Sequence, residues 1–287
     1  MKEYSEKLEN FLKLIRKFDE YLKFEIVEIG AHPHGAQQER FHTLLDFFPD
    51  SKIHAFEIDE EECIKLNKIA KDGLKFYPYA LGDKEEKRKL YETNHTMCSS
   101  LYEPNEKLLK LFNNLSVAYL KKITEINTIS LDAFIKREKI ESIDFIKMDI
   151  QGAELDVLKG AERNLENVLT IVSEVEFLPI YNEQPLFGDV CTFLSSKNIM
   201  FHKFLGLSGR SLKPVILKNN INFPTQHMWS DAVFIKNILK IDELNNSQLL
   251  KQTIFSYLYG SPDLSYFCLI NYDKKNKTNL AELFKKI

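Results

Sequence analysis

Four polar side chains fall where two apolar runs end. The first run, with Ile143, Phe145 and Ile146, ends on Asp149, with Gln151 two positions on and Gly152 breaking the pattern. The second, 168–177, carries Glu174 and Glu176, which share a face because strand side chains alternate. Carboxylates gathered in this way can take a proton from a weakly acidic group. They can equally hold a hard divalent ion, Mg²⁺ or Mn²⁺, with Asp149 and Glu174 as ligands. His95, in the polar stretch upstream, is a further candidate base. Crowded carboxylates raise one another's pKa, so a cation or an imidazole must stand beside them, and a metal ion is the first expectation. Plainer roles also fit: Asp149 as a helix cap, and the glutamates as an ordinary exposed strand end.

A second constellation lies earlier. A glycine after one strand lets a ligand approach backbone N–H groups, and an acid after the next accepts hydrogen bonds from ribose hydroxyls. Gly30 and Glu57 stand in those places. The Gly30-to-Gly35 loop has neither the GxGxxG of dinucleotide enzymes nor the Gly-Lys-Ser/Thr of a phosphate loop.

Positioning such groups takes a sheet. Around Asp149 the pattern is a buried strand, a turn and a helix with Leu155, Leu158, Ala161 and Leu165 inward. Ligands of open α/β sheets bind just beyond the C-terminal strand ends, where Asp149 and Gln151 fall. Upstream, 24–29, 53–57 and 74–80 read as strands, and 60–72 as a helix stopped by Gly73. Residues 5–22 put Leu8, Phe11, Leu12, Ile15, Phe18 and Leu22 on one helical face. This alternation implies a mostly parallel sheet with helices on both faces. It stops between 84 and 128, and about forty residues is long for a connection, the length of a lid or substrate wall. Two last strands, 199–205 and 232–235, read as antiparallel, and beyond 236 the pattern is helical.

Composition bounds the partners. A net charge of −3 suggests no nucleic-acid surface, and the lysines of 84–89 are interleaved with glutamate. The four cysteines have no metal-ligand spacing and are expected to be reduced. The first residues are too charged for a signal peptide, and no apolar run reaches the about 18 residues that span a membrane. A cytoplasmic protein with no membrane partner is expected, its oligomeric state left open, a homodimer included.

In order and spacing, VEIGA (27–31), HAFEID (54–59), YALGD (79–83), CSSLYEPN (98–105), ISLDAF (129–134), IDFIKMDIQGAELDVLKGA (143–161), EVEFLPIYNEQPLF (174–187) and WSDAVF (229–234) resemble the FkbM-type S-adenosylmethionine-dependent methyltransferases. The resemblance spans about 24–236, and 143–161 is its most specific part.

It implies an α/β, Rossmann-like methyltransferase fold with a mostly parallel seven-stranded sheet. The chain divides into an N-terminal helix (1–22), a methyltransferase domain (23–238) with 84–128 as its lid, and a helical extension (239–287). The implied activity is methyl transfer from S-adenosylmethionine to an oxygen, typically on a sugar destined for a surface polysaccharide or capsule. The implied cofactor residues are Glu28, Gly30 and Ala31 at the methionine end, with His34 in the same loop. Glu57 holds the ribose, Ile58 and Asp83 meet the adenine, and Ser99, within 97–100, faces the methyl donor. Asp149 would face both cofactor and acceptor. Tyr181 and Trp229 offer flat faces to a sugar. The family usually has Asp at Glu28, Asn-x-Gly at 32–35 and Glu at Gln151. Alternatives are a scaffold that keeps the fold without the activity, and methylation of a nitrogen or a phosphate-type oxygen.

Overall fold

A computed structural model describes residues 2–30 and 39–287, with side chains from residue 6 onward. Helix α1 (Lys2–Arg16) leads into strand β1 (Glu25–Ile29), short helix α2 (Leu44–Phe47), β2 (Lys52–Phe56), α3 (Glu60–Ile69) and β3 (Leu74–Tyr77). Then come β4 (Ala80–Gly82), β5 (Glu86–Thr93), α4 (Glu106–Leu109), β6 (Leu120–Ser130) and α5 (Leu131–Glu138). The central stretch supplies β7 (Phe145–Met148) and α6 (Glu154–Gly160), followed by β8 (Thr170–Glu176), α7 (Phe187–Ser196), β9 (Ile199–Phe204), β10 (Ser208–Arg210) and β11 (Gln226–Lys236). Three helices close the chain: α8 (Asn246–Leu258), α9 (Pro262–Asn276) and α10 (Leu280–Phe284).

The main sheet runs β3-β2-β1-β7-β8 in parallel, and β11 joins β8 antiparallel. Among the described residues it has eight strands where the sequence predicts seven. The free edge of β11 explains the difference. Eleven residues long, it pairs with β9 along 232–236 and with β10 along 226–229, so two short strands share one place in the sheet. Strand order reverses between β1 and β7, the crevice where open α/β sheets bind ligands.

Alternation along the strands builds two apolar faces. Ile26, Phe145, Val172 and Val233 face one core, and Val27, Ile146, Ile171 and Phe234 the other. Helices α5, α6 and α7 cover the second face through Phe134, Leu158 and Leu194. The first is covered from both ends of the chain: Phe11 of α1 stacks 4.4 Å from Tyr257 of α8 and 5.3 Å from Phe284 of α10, and Phe255 lies 4.9 Å from Phe145. The pieces at 1–22 and 239–287 thus make one layer of the same core.

The stretch 84–128 is more ordered than its polarity predicts. β5 and β6 pair antiparallel over most of their length, and β4 pairs parallel with β6, giving a second sheet of three strands. The third predicted strand, 74–80, accordingly splits between the two sheets at Pro78.

Candidate active site

A cavity of about 570 Å³ opens over the ends of β1, β2 and β7. Gly30, Glu57 and Asp149 line it from the sheet, and Thr93, Met97, Ser99 and Ser100 from the 84–128 stretch. That stretch is therefore a wall of the cavity.

Gly30 has φ +77°, and a Cβ on it would lie 2.1 Å from the carbonyl oxygen of Asp149. The tips of β1 and β7 can approach this closely only over a glycine. Glu57 sits at a pinned turn: its carboxylate accepts from the Asp59 N–H at 3.0 Å, and Asp59 in turn caps α3 by accepting from the Glu62 N–H. Ile58 follows, half exposed on the cavity rim, with Tyr79 and Leu81 among the other lining residues.

Asp149, Glu174 and Glu176 are brought together, and Gln151 organises them. Its amide Nε2 donates to Asp149 Oδ1 at 3.0 Å and to Glu174 Oε2 at 2.5 Å. Its Oε1 lies 3.0 Å from the hydroxyl of Tyr181, which is also 2.8 Å from the Cys98 carbonyl. The Ser100 hydroxyl donates to the Gln151 carbonyl at 2.6 Å, so the 97–100 segment is tied to the turn after β7. Gln151 itself takes φ +59°, the left-handed conformation that makes the turn tight. Burial, then the charges of Asp149 and Glu176, hold the Glu174 carboxyl well above the usual range. Burial, then Glu154 and Asp149, do the same for Glu176.

Asp149 is not the helix cap. The N-cap of α6 is Ala153, and Glu154 closes the turn by accepting from the Ile150 and Gly152 N–H groups, both at 2.9 Å. Glu154 is almost fully buried, and burial raises its pKa to about 7. Unfolded, the same group ionises near 4.5. Its contribution to stability is therefore present below pH 4.5 and is lost as pH rises towards 7. Urea unfolding of the parent and Glu154→Gln at pH 5 and pH 7 should show the parent losing more stability over this interval. An equal change in both proteins would mean that Glu154 is already ionised in the fold.

A cation does stand within electrostatic reach of Asp149: Lys147, which the sequence reading passed over. Its ammonium donates to Asp231 at 2.9 Å. Burial works against its charge, but Asp149, Asp231 and Glu39 outweigh burial and hold its pKa above the ordinary value. The signal was a lysine inside the apolar run of a central strand, which demands an acid partner. Among the described residues no group of three or more His, Cys, Asp or Glu could hold a metal ion. In place of an ion between Asp149 and Glu174 there is the Gln151 amide, which corrects the Mg²⁺ or Mn²⁺ expectation at that pair.

Other expected site residues lie elsewhere. Glu28 points to the opposite sheet face from Val27 and Ile29, where its carboxylate meets His42 Nε2 at 2.7 Å. Asp83 is exposed beyond the end of β4, its backbone against Gly160, while Tyr79, Ala80 and Leu81 line the cavity in its stead. His95 is exposed and does not line the cavity, although Thr96 and Met97 do. Tyr181, 1% exposed, has no face to offer a sugar and serves to orient Gln151. Trp229 is half-buried with the Arg210 guanidinium 4.9 Å over its ring. Ala31, His32 and His34 lie outside the described residues.

A glycine turn and an acid at the ends of adjacent strands, with a carboxylate cluster across the switch point, stand where open α/β sheets bind their ligands. The comparisons with known proteins agree. The chain is similar to the 2-O-methyltransferase NoeI of Sinorhizobium fredii (strain NBRC 101917 / NGR234), 24% identical over 199 residues, covering 68% of this chain and 79% of that protein. The methyltransferase FkbM domain matches residues 28–199, more than half of the chain, which therefore belongs to the FkbM methyltransferase family.

Proposed function

We propose that this methyltransferase uses S-adenosylmethionine to methylate a sugar hydroxyl on a glycan precursor or sugar nucleotide. The observation that carries the reading is one cavity joining Glu57, at the end of β2, to Asp149 and Gln151, at the end of β7. The lining residues fit the cofactor. Glu57 offers a carboxylate to the ribose hydroxyls, Ile58 an apolar side chain to the adenine, and Gly30 a backbone without a Cβ beside Asp149. S-adenosylmethionine bound there would supply an electrophilic methyl group.

The chain's own residues supply alignment, exclusion of water and removal of the acceptor's proton. Asp149 is the residue of the carboxylate cluster that lines the cavity, so it takes the proton. Gln151 fixes its orientation, and Lys147 offsets the negative charge around it. The printed name of the relative, a 2-O-methyltransferase, supports an oxygen acceptor. A methyl-transfer screen over sugar nucleotides tests the reading. Product methylated on oxygen is the expected result, and turnover only with nitrogen nucleophiles would overturn it.

Two expectations follow from this placement. Glu57→Ala should weaken cofactor binding by roughly 1.5–3 kcal/mol, the scale of a hydrogen bond to a charged group. Unchanged affinity by calorimetry removes Glu57 from the site. Hydrogen exchange should show 97–101 protected by S-adenosylhomocysteine, because Met97, Ser99 and Ser100 line the cavity. Equal exchange with and without the ligand would make the 84–128 stretch a fixed wall unconnected with cofactor binding.

A further inference from the structure

The segment 212–222 is exposed without a break, between β10 and β11. Its apolar members are not scattered. Leu212 is 54% exposed, Val215 52%, Ile216 55% and Ile221 45%. Leu111, 54% exposed, joins them, since its carbonyl accepts from the Lys213 N–H at 2.8 Å and Phe112 bridges to Leu212. Aliphatic side chains massed on one projecting tip mark an interaction surface.

The charge around the tip says what kind. No Asp or Glu occurs from 190 to 230, while Lys197, Lys203, Arg210, Lys213 and Lys218 do, in a chain whose net charge is −3. Lys197 and Lys203 are spent elsewhere, on Glu162 and the Gly260 carbonyl. Lys213 and Lys218 are exposed on either side of Val215, Ile216 and Leu217, the Lys218 ammonium lying 4.7 Å over the Phe223 ring within the same loop. An aliphatic tip between two lysines matches the boundary of an anionic bilayer, with apolar atoms among the acyl chains and ammonium groups at the phosphates. A protein partner would be expected to meet the apolar tip with fewer bare lysines at its edge.

We propose that 212–222 is a docking tip for an anionic lipid surface. It revises the expectation of no membrane partner, which rested on spanning length alone; no helix among the described residues is long and apolar enough to cross a membrane. The root of the tip adjoins the active site. Arg210 stacks on Trp229, which is paired with Glu176, and Arg210 lies within electrostatic reach of Cys98, between the cavity-lining Met97 and Ser99. Docked, the chain would bring the 97–99 wall of the cavity towards the lipid, which on the proposed function suits an acceptor carried by a lipid.

Vesicle co-sedimentation of the full chain tests this without methyl transfer, so its failure would leave the proposed activity standing. The protein should pellet with phosphatidylcholine vesicles containing phosphatidylglycerol and stay in solution with phosphatidylcholine alone. Lys213→Glu with Lys218→Glu should lower partitioning at least about tenfold. Ile216→Ser with Leu217→Ser should do the same while leaving the thermal unfolding midpoint unchanged, as exposed positions allow. Equal pelleting of parent and both double variants would overturn the proposal. So would a stable dimer in ultracentrifugation that the Ile216→Ser, Leu217→Ser chain no longer forms, since a second copy would then cover the tip.

Discussion

Asp149→Asn should retain the fold and bind S-adenosylmethionine as the parent does, yet turn over at least about 100-fold more slowly, the scale of a lost general base. The substitution is close to isosteric, and an asparagine oxygen can still accept from the Gln151 amide at the end of β7. What it removes is the capacity to hold a proton. Single-turnover kinetics beside calorimetry separates the outcomes. Normal turnover would return Asp149 to a structural role, and lost cofactor affinity with unchanged chemistry would make it a cofactor ligand only. Glu174 and Glu176, held protonated more readily by burial and crowding, are placed behind it as acid neighbours that keep the site short of charge.

Lys147→Met should cost about 2 kcal/mol of folding stability in urea unfolding, the scale of a lost hydrogen bond to a charged group, because the Asp231 side chain it leaves is 44% exposed and stays hydrated. Activity should change in a second way. Turnover should fall, because the ammonium no longer offsets the negative charge around Asp149. Lys147→Arg should restore part of both effects. A Lys147→Met protein as stable and as active as the parent would show that the ammonium balances nothing.

The strands that carry the site were legible because their surroundings enforce a simple rule. β7 and β8 are buried on both faces, so their apolar runs and terminal acids mark them plainly. β5 and β6 were not legible, because their small sheet is largely open to solvent and charged residues occur on both faces, erasing the alternation. The eighth strand of the main sheet was missed because β10, three residues long, has no alternation of its own and is a strand only through its pairing with β11. Side-chain roles divided in the same way. Gly30 and Asp149 are dictated by backbone geometry at strand tips, which spacing reveals. Tyr181 and Lys147 act through partners 30 and 84 residues away, and no local pattern tells a buried tyrosine that orients an amide from an exposed one that stacks on a sugar. Where the family usually has Glu, Gln151 donates to two carboxylates at once; a fourth acid there could donate to only one, and only while protonated.

The layer built from both ends of the chain has a consequence for synthesis. Asp144, at the start of β7, is paired with Lys251 of α8, 107 residues later, and the same helix lays Phe255 over Phe24 and Phe145. At about 5–20 residues per second, a ribosome needs several seconds or more to go from one to the other. Throughout that time the emerging sheet has one apolar side with only α1 and α2 to shelter it. A nascent chain halted before α8 should therefore be a strong client for holdase chaperones, and one halted after α8 has cleared the exit tunnel should be released.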